Sequence, residues 1–424
     1  ALSPRSITNG SNNAGNGAAG NSGVILNPAS NVTVGPNIYS HDNLASGFRI
    51  LGASTGNKIY GNRTSGNGGV FYGGGSGVAG NVIGPGKISD GDGHTSYQFV
   101  DAGVNTVQGN VVRNGVGWAA GSACILFDSK QVIQDNVLDH CAGRGIASFY
   151  APDTVIHNNT IIEAGANVTA GNGAASGAGV ESNFSSRSKI TENKIITPVG
   201  PGVLLNSSQD TTVSGNVITD PDAYCRSYGA ANYCDGIFVG WETDFDYYVS
   251  GTNNNVFDGN VVTNAYRHGI AEDDFDSPVH QERFLNNIYT SNVVSGSGSA
   301  DFRLATPNVS AITACNGPSL AWSSTSYDYR GCQIAYPLLT GLTLINGPAE
   351  VNDFPQSSLR VGAAGYAGKG NTTLSYNDTK NLTVLDVATP DVGLGLLDLN
   401  PTSGLLSIPG KVQRTSGVEG GLNS

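Results

Sequence analysis

A carboxylate and an imidazole stand at matched places in this chain. Asp235 precedes Gly236-Ile237 and His268 precedes Gly269-Ile270, with Arg267 beside the histidine and the acidic run Glu272, Asp273 and Asp274 just after it. A nearby segment, Trp241 and Glu242 onward, mixes aromatic and acidic side chains. Glycosidic hydrolysis needs one protonated and one ionised carboxyl, ~5 to 5.5 Å apart for retention and ~6.5 to 9.5 Å for inversion. Crowding several acids raises the pKa of at least one, which keeps a proton donor available near neutral pH. On this reading Asp235 works with Asp273 or Asp274. His268 and Arg267 orient them or hold the sugar, and Trp241 stacks on a sugar ring. Replacing Asp235 or Asp273 singly with Asn is expected to abolish turnover and leave the thermal transition nearly unchanged.

What could bring these residues together is a four-residue phrase: an aliphatic or aromatic residue, two variable residues, then Asn. It recurs ten times, from Val34 to Asn37, through Val78 to Asn81, Ile133 to Asn136 and Val213 to Asn216, to Tyr289 to Asn292. Short β-branched bursts without helical periodicity are strands that cannot bury their own face, so they must stack. One phrase per rung, at ~4.8 Å per rung, builds a rod. Asn turned inward at each bend would bond the rungs above and below.

A second phrase, Gly then Ile or Val, keeps a fixed offset from the first: Gly145-Ile146, Gly202-Val203, Gly236-Ile237, Gly269-Ile270. With both phrases the chain resembles the right-handed parallel β-helix proteins of the pectin-lyase-like superfamily. The resemblance implies an all-β fold of about ten coils over residues 24–305, after an irregular lead-in (1–23) and before a C-terminal β cap or extension (306–424). It also implies carbohydrate chemistry, since the superfamily holds glycoside hydrolases, polysaccharide lyases and uronan epimerases. Its galacturonan hydrolases carry paired Asp and Gly-His-Gly on adjacent coils. Here Arg267-His268-Gly269 precedes Asp273-Asp274, and their Arg-Ile-Lys element is absent.

The residue before each Gly-Ile phrase forms one column: Arg144, Ala178, Pro201, Asp235 and His268. Neighbouring columns add Glu181, Glu242 and Glu272. The expected substrate-binding set is Arg144, Glu181, Trp241, Glu242, Arg267 and Glu272, around catalytic Asp235, Asp273, Asp274 and His268. Three intervals between ladder Asn are longer than the rest, Asn159 to Asn193, Asn216 to Asn260 and Asn260 to Asn292. Insertions in repeat folds collect on the binding face, which places the cleft in the second half of the ladder.

A second chemistry is open to the same residues: β-elimination or C5 epimerisation of a uronic-acid polymer. It needs Arg or calcium to neutralise the carboxylate and a base such as His at C5. Arg144, Tyr150, Arg267 and His268 could serve. A third reading is a non-catalytic glycan-binding β-helix. No cofactor is required, with calcium as the one open addition, and no metal-ligand spacing stands out.

The chain has 424 residues, 60 of them Gly, 13% charged and a net charge of −12. That balance argues against nucleic acid, and against a polyanion held by charge alone. A polysaccharide or oligosaccharide is the expected partner, a neutral one fitting this charge more easily unless bound calcium reverses it locally, with a second copy of the chain as a further one. No stretch reads as a membrane span, and the start shows no leader peptide, as in a trimmed product. The six cysteines fall into near couples, Cys124 with Cys141, Cys225 with Cys234 and Cys315 with Cys332, which favours disulfides and a secreted, extracellular setting. Asn-x-Ser/Thr sequons, among them Asn31, Asn158 and Asn167, permit glycosylation.

Overall fold

The computed structural model describes residues 5–7 and 22–304, except 76, 94–96, 117–121, 170–173, 229–232, 241–250, 274–282, 285–286 and 299–301, together with short strands beyond residue 326. Each parallel strand pairs with the third strand before it and the third after it, generating three long sheets of eleven, twelve and ten strands. The architecture is a right-handed parallel β-helix.

One coil shows the plan. Arg144–Phe149 carries the Gly-Ile phrase, Val155–His157 the first half of the Asn phrase, and Thr160–Ile162 follows the Asn. These three define the Gly-Ile sheet, the Asn-phrase sheet and the third sheet. The inward residues Ile146, Ile156 and Ile161 have no exposed surface, and neither have their counterparts Ile237, Val213 and Ile218 one or more coils on. Larger rings fill the upper coils, where Phe257 and Tyr289 stack with centroids 4.8 Å apart.

The Asn phrase has a local physical cause. Two residues turn the corner between the Asn-phrase sheet and the third sheet, and the first of them is left-handed: Asp135, Asn158, Glu192 and Ser291 have φ of 58, 51, 57 and 54°. The second is the buried Asn. Asn159 Nδ2 donates to Asn193 Oδ1 at 3.0 Å and to Ile133 O at 3.0 Å, while its Oδ1 accepts from Asn136 N at 3.1 Å. Backbone groups freed by the bend are thereby paired along the rod. The ladder runs from Asn110 through Asn136, Asn159, Asn193, Asn216 and Asn260 to Asn292.

Two of the ten phrase copies differ from this. Asn81 belongs to a separate ladder at another corner, with Asn57 and Asn105, so Val78 to Asn81 is not a rung of the main series. Asn37 is exposed. Below Asn110 the place of the ladder Asn is taken by Lys87, whose carbonyl accepts from Val111 N, after a corner lengthened by Gly84-Pro85-Gly86. Asn110 Oδ1 is left without a hydrogen-bond partner there.

Glycine in the Gly-Ile phrase is a matter of space. A Cβ at Gly202 would lie 2.4 Å from Ile218 Cγ2, and one at Gly236 would lie 2.2 Å from Val262 Cγ1. Only a residue without a side chain lets the Gly-Ile sheet approach the third sheet so closely.

Successive ladder Asn are 34, 44 and 32 residues apart at the three long coils. The added residues emerge at both edges of the Gly-Ile sheet. Before it they lie between Thr160–Ile162 and Val180–Asn183 and between Val217–Thr219 and Ile237–Gly240. After it they lie between Ile237–Gly240 and Val256–Asp258 and between Ile270–Asp273 and Ile288–Thr290. The outward face of that sheet is therefore the one framed by loops.

Among the described residues the last strand of the parallel winding is Phe302–Leu304, on which Tyr327–Tyr329 pairs antiparallel. Within the stretch read as an irregular lead-in, Arg5–Ile7 instead pairs parallel with Ile38–His41, because the first rung of a solenoid leaves backbone groups open to one more strand. Among the described residues no helix is long and apolar enough to cross a membrane.

Candidate active site

Strand alternation decides which side chains reach the outward face. Ile237 and Val239 point into the core, as do their register partners Ile270 and Glu272. Phe238 and Ala271, then Gly240 and Asp273, alternate with them and face outward. Glu272, expected to bind substrate, is thus corrected to an interior group: it has no exposed surface and its Oε1 accepts from Asn287 Nδ2 at 2.8 Å and Tyr289 Oη at 2.7 Å. Two-residue periodicity forbids neighbouring Glu272 and Asp273 from sharing a face.

Asp235 and His268 occupy adjacent rungs at the start of the Gly-Ile sheet. Asp235 has no exposed surface. Its Oδ1 accepts from His268 Nδ1 at 2.8 Å, from His268 N at 3.0 Å and from Arg267 Nε at 3.0 Å, and its Oδ2 accepts from Arg267 Nη2 at 2.6 Å. Burial alone would raise the Asp235 pKa, yet the bonds from His268 and Arg267 win and hold it well below the ordinary carboxylate range. An ionised carboxylate only accepts, so Nδ1 carries the proton of this contact and Nε2 is the ring nitrogen turned away from Asp235. The same Arg267 Nη2 lies 3.5 Å from Asp273 Oδ2, which also pairs with Arg303 Nη1.

Two groups in this cluster escaped the sequence reading. Arg303 is the register partner of Ala271 on the last parallel strand, where ladder phase gives no Asn to mark the coil. Asp222 lies in the connection before the Gly-Ile sheet. It is wholly buried, with Oδ2 accepting from Tyr266 N at 3.2 Å and Oδ1 without a partner. Burial, and secondarily the Asp235 charge, push its pKa well above the ordinary value. Only an inventory of acids near His268 in space could have found it.

Arg144 and Glu181 form a second cluster rather than part of the first. Their side chains are ion-paired, and Asn183 Nδ2 lies 3.4 Å from Glu181 Oε1. Glu181 is three rungs from Ala271, or ~14 Å along the rod. Between the clusters the outward face is apolar, with Ala178, Leu204 and Phe238 buried and Tyr233 packed on them. The single cleft expected in the second half of the ladder is therefore two polar patches divided by this apolar cover. Trp241, Glu242 and Asp274 lie outside the described residues, as do Cys315 and Cys332.

Two of the expected disulfides are present, Cys124–Cys141 and Cys225–Cys234. The second closes the loop that leads directly into Asp235, and Cys234 O accepts from Arg267 N at 2.9 Å.

The family described as "NosD: Periplasmic copper-binding protein (NosD)" matches residues 62–234. No curated protein sequence matches the chain. Among solved structures, the A-module of a mannuronan C-5 epimerase from Azotobacter vinelandii is similar at 13% identity over 68% of this chain and 86% of that one, with a TM-score of 0.41. An alginate lyase from a Paenibacillus species aligns at 13% identity over 66% of this chain and 96% of that one, TM-score 0.39. An alpha-1,3-glucanase from Streptomyces thermodiastaticus aligns at 12% identity over 66% and 57%, TM-score 0.37.

Proposed function

We propose that this right-handed parallel β-helix acts on a uronic-acid polysaccharide, with His268 removing the proton at C5 of the sugar. The observation that carries the reading is the fixed imidazole. A buried, ionised Asp235 holds Nδ1, so Nε2 is presented as a base, an arrangement suited to proton abstraction beside a carboxylate. Arg267 and Arg303, with side chains 21% and 18% exposed, are the cations nearest to hand for the substrate carboxylate. Once the proton is on Nε2, the electron pair left at C5 either expels the C4 oxygen, which takes up a proton from solvent, or takes a solvent proton on the opposite face. The first gives an unsaturated uronate, the second an epimer.

Hydrolysis by Asp235 and an acid of the 273–274 pair fits the geometry less well. Asp235 is out of contact with solvent and its carboxylate is saturated by Arg267 and His268, so it neither donates a proton nor reaches a sugar carbon. The net charge of −12 opposes a polyanion at long range, so attraction has to be local, at the two guanidiniums.

Copper, which the description of the matched family mentions, does not fit the donors present. The chain has no Met, and among the described residues no group of three or more His, Cys, Asp or Glu could hold a metal ion. Calcium bound together with the substrate carboxylate is an added neutraliser that a chelator tests. The two disulfides favour an oxidising compartment outside the cytoplasm.

The deciding experiment is incubation with a panel of uronans and neutral glucans in deuterated water. Unsaturated products of unchanged summed mass, or deuterium entering at C5, both lost in His268→Ala, support the proposal. Products with water added, or elimination that persists in His268→Ala, overturn it.

A further inference from the structure

At most described rungs the turn that leaves the Gly-Ile sheet contains a left-handed residue. In the lower coils that place is filled by Gly52, Gly75 and Asp101. On two successive rungs it is filled instead by Tyr150 and Phe184, with φ of 53 and 50°. A bulky side chain is an outlier in this region of backbone space, and its strain persists only where the surroundings impose it. The exchange of Gly or Asp for two aromatics places their rings against each other, centroids 5.1 Å apart and planes 7° from parallel. Phe184 is the buried half at 6% exposure, and Tyr150 lies over it 42% exposed. The polar surroundings are in place as well. The Arg144 guanidinium sits 5.8 Å from the Phe149 ring centroid and pairs with Glu181, and Asn183 Oδ1 is buried without a hydrogen-bond partner.

We infer that Tyr150, backed by Phe184, is a stacking platform for one pyranose ring, and that Arg144, Glu181 and Asn183 bind its hydroxyls, making a carbohydrate subsite separate from the His268 centre. An apolar sugar face matches a flat exposed ring. The neighbouring ion pair offers donors and acceptors but no net charge, so the subsite does not demand an acidic sugar. The inference rests on the proposed activity only for the expectation that a glycan is the ligand.

The test is calorimetric titration of the full chain carrying His268→Ala with oligosaccharides of mannuronate and of α-linked glucose, alongside turnover by the chain with His268 intact. Tyr150→Ala is expected to weaken binding about three- to tenfold, and Tyr150→Phe to retain it, because the ring and not the hydroxyl stacks. Binding that is unchanged in Tyr150→Ala overturns the subsite, and turnover with unaltered KM in that variant does so while leaving the proposed activity standing. Glycan binding that depends on Tyr150, in a protein showing no elimination or exchange, sustains the subsite and removes the activity. No glycan bound by any form overturns both.

Discussion

His268 Nδ1 lies 2.8 Å from Asp235 Oδ1, on a carboxylate with no exposed surface, and this contact fixes both the tautomer and the direction of the ring. Two losses are expected to differ. His268→Ala removes the base and should lower kcat by at least about 100-fold, more than Asp235→Asn does, and should also lower the thermal midpoint because the buried Asp235 carboxylate loses its Nδ1 donor. Asp235→Asn leaves the base but frees its orientation and strands the Arg267 charge, so both kcat and thermal midpoint should fall. The sequence alone suggested an unaltered midpoint for Asp235→Asn; burial of the carboxylate reverses that expectation. A full-rate Asp235→Asn enzyme, measured on the uronan that the panel identifies, would show that the contact has no role in turnover.

Acid should undo the same contact. Asp235 has a folded pKa below its unfolded value of ~3.9, so its stabilising effect is complete above the unfolded pKa and is lost as pH falls through the folded one. Melting scans of the intact chain should therefore show a steep fall in midpoint below about pH 4, shallower in Asp235→Asn, which has no carboxyl to protonate. Removing the guanidinium instead, by Arg267→Ala, leaves a buried charge short of a partner and is expected to cost about 3 to 5 kcal/mol. Parallel acid slopes in the two proteins would contradict the assignment.

Asp222 should behave in the opposite sense. Its folded pKa is raised, so any stability it contributes is present below the unfolded pKa and lost as pH rises through the folded value. Asn in its place keeps the acceptor for Tyr266 N and never ionises. Asp222→Asn is expected to match the unsubstituted chain below about pH 4 and increasingly exceed it as pH rises, in midpoints followed by calorimetry. A variant that is less stable at every pH would show that Asp222 is needed as a carboxylate.

The corner Asn offers a test of the fold itself. Asn159→Ala takes the acceptor from Asn136 N and Asn136 Nδ2 and the Nδ2 donor from Ile133 O in a dry interior. At about 1 to 3 kcal/mol for each buried group left unpaired, the loss should reach roughly 3 kcal/mol or more by urea unfolding. A loss under about 1 kcal/mol would mean that the ladder is incidental to stability.

The ladder also shows what a sequence makes legible. Left-handed corner, inward Asn and flanking aliphatics repeat because backbone geometry repeats, so Ile133 to Asn136 and Val213 to Asn216 announce their rungs without reference to anything distant. Column reading likewise put Asp235 and His268 side by side. It failed where a contact depends on side-chain direction or on a loop. Glu272 was assigned a face that alternation denies it, and the apolar cover of Phe238 by Tyr233 joins residues from a strand and an insertion with no shared phase. Asp222 and Arg303 lie outside the repeat phrases altogether, so no periodic signal points to them.

The two disulfides separate stability from function. Cys124–Cys141 spans 17 residues and Cys225–Cys234 spans 9, so loop-closure entropy gives each a similar worth of ~2 to 3 kcal/mol. Their positions differ. Cys234 immediately precedes Asp235 and its carbonyl holds Arg267 N, whereas Cys141 lies on the coil of Arg144, several rungs below His268. Replacing each pair by serines should lower the melting midpoint comparably, yet only the Cys225→Ser, Cys234→Ser protein should lose turnover at temperatures where both remain folded. Equal activity in the two would show that the loop before Asp235 does not need its crosslink to hold Arg267 and the imidazole in register, and that the Gly-Ile sheet positions them unaided.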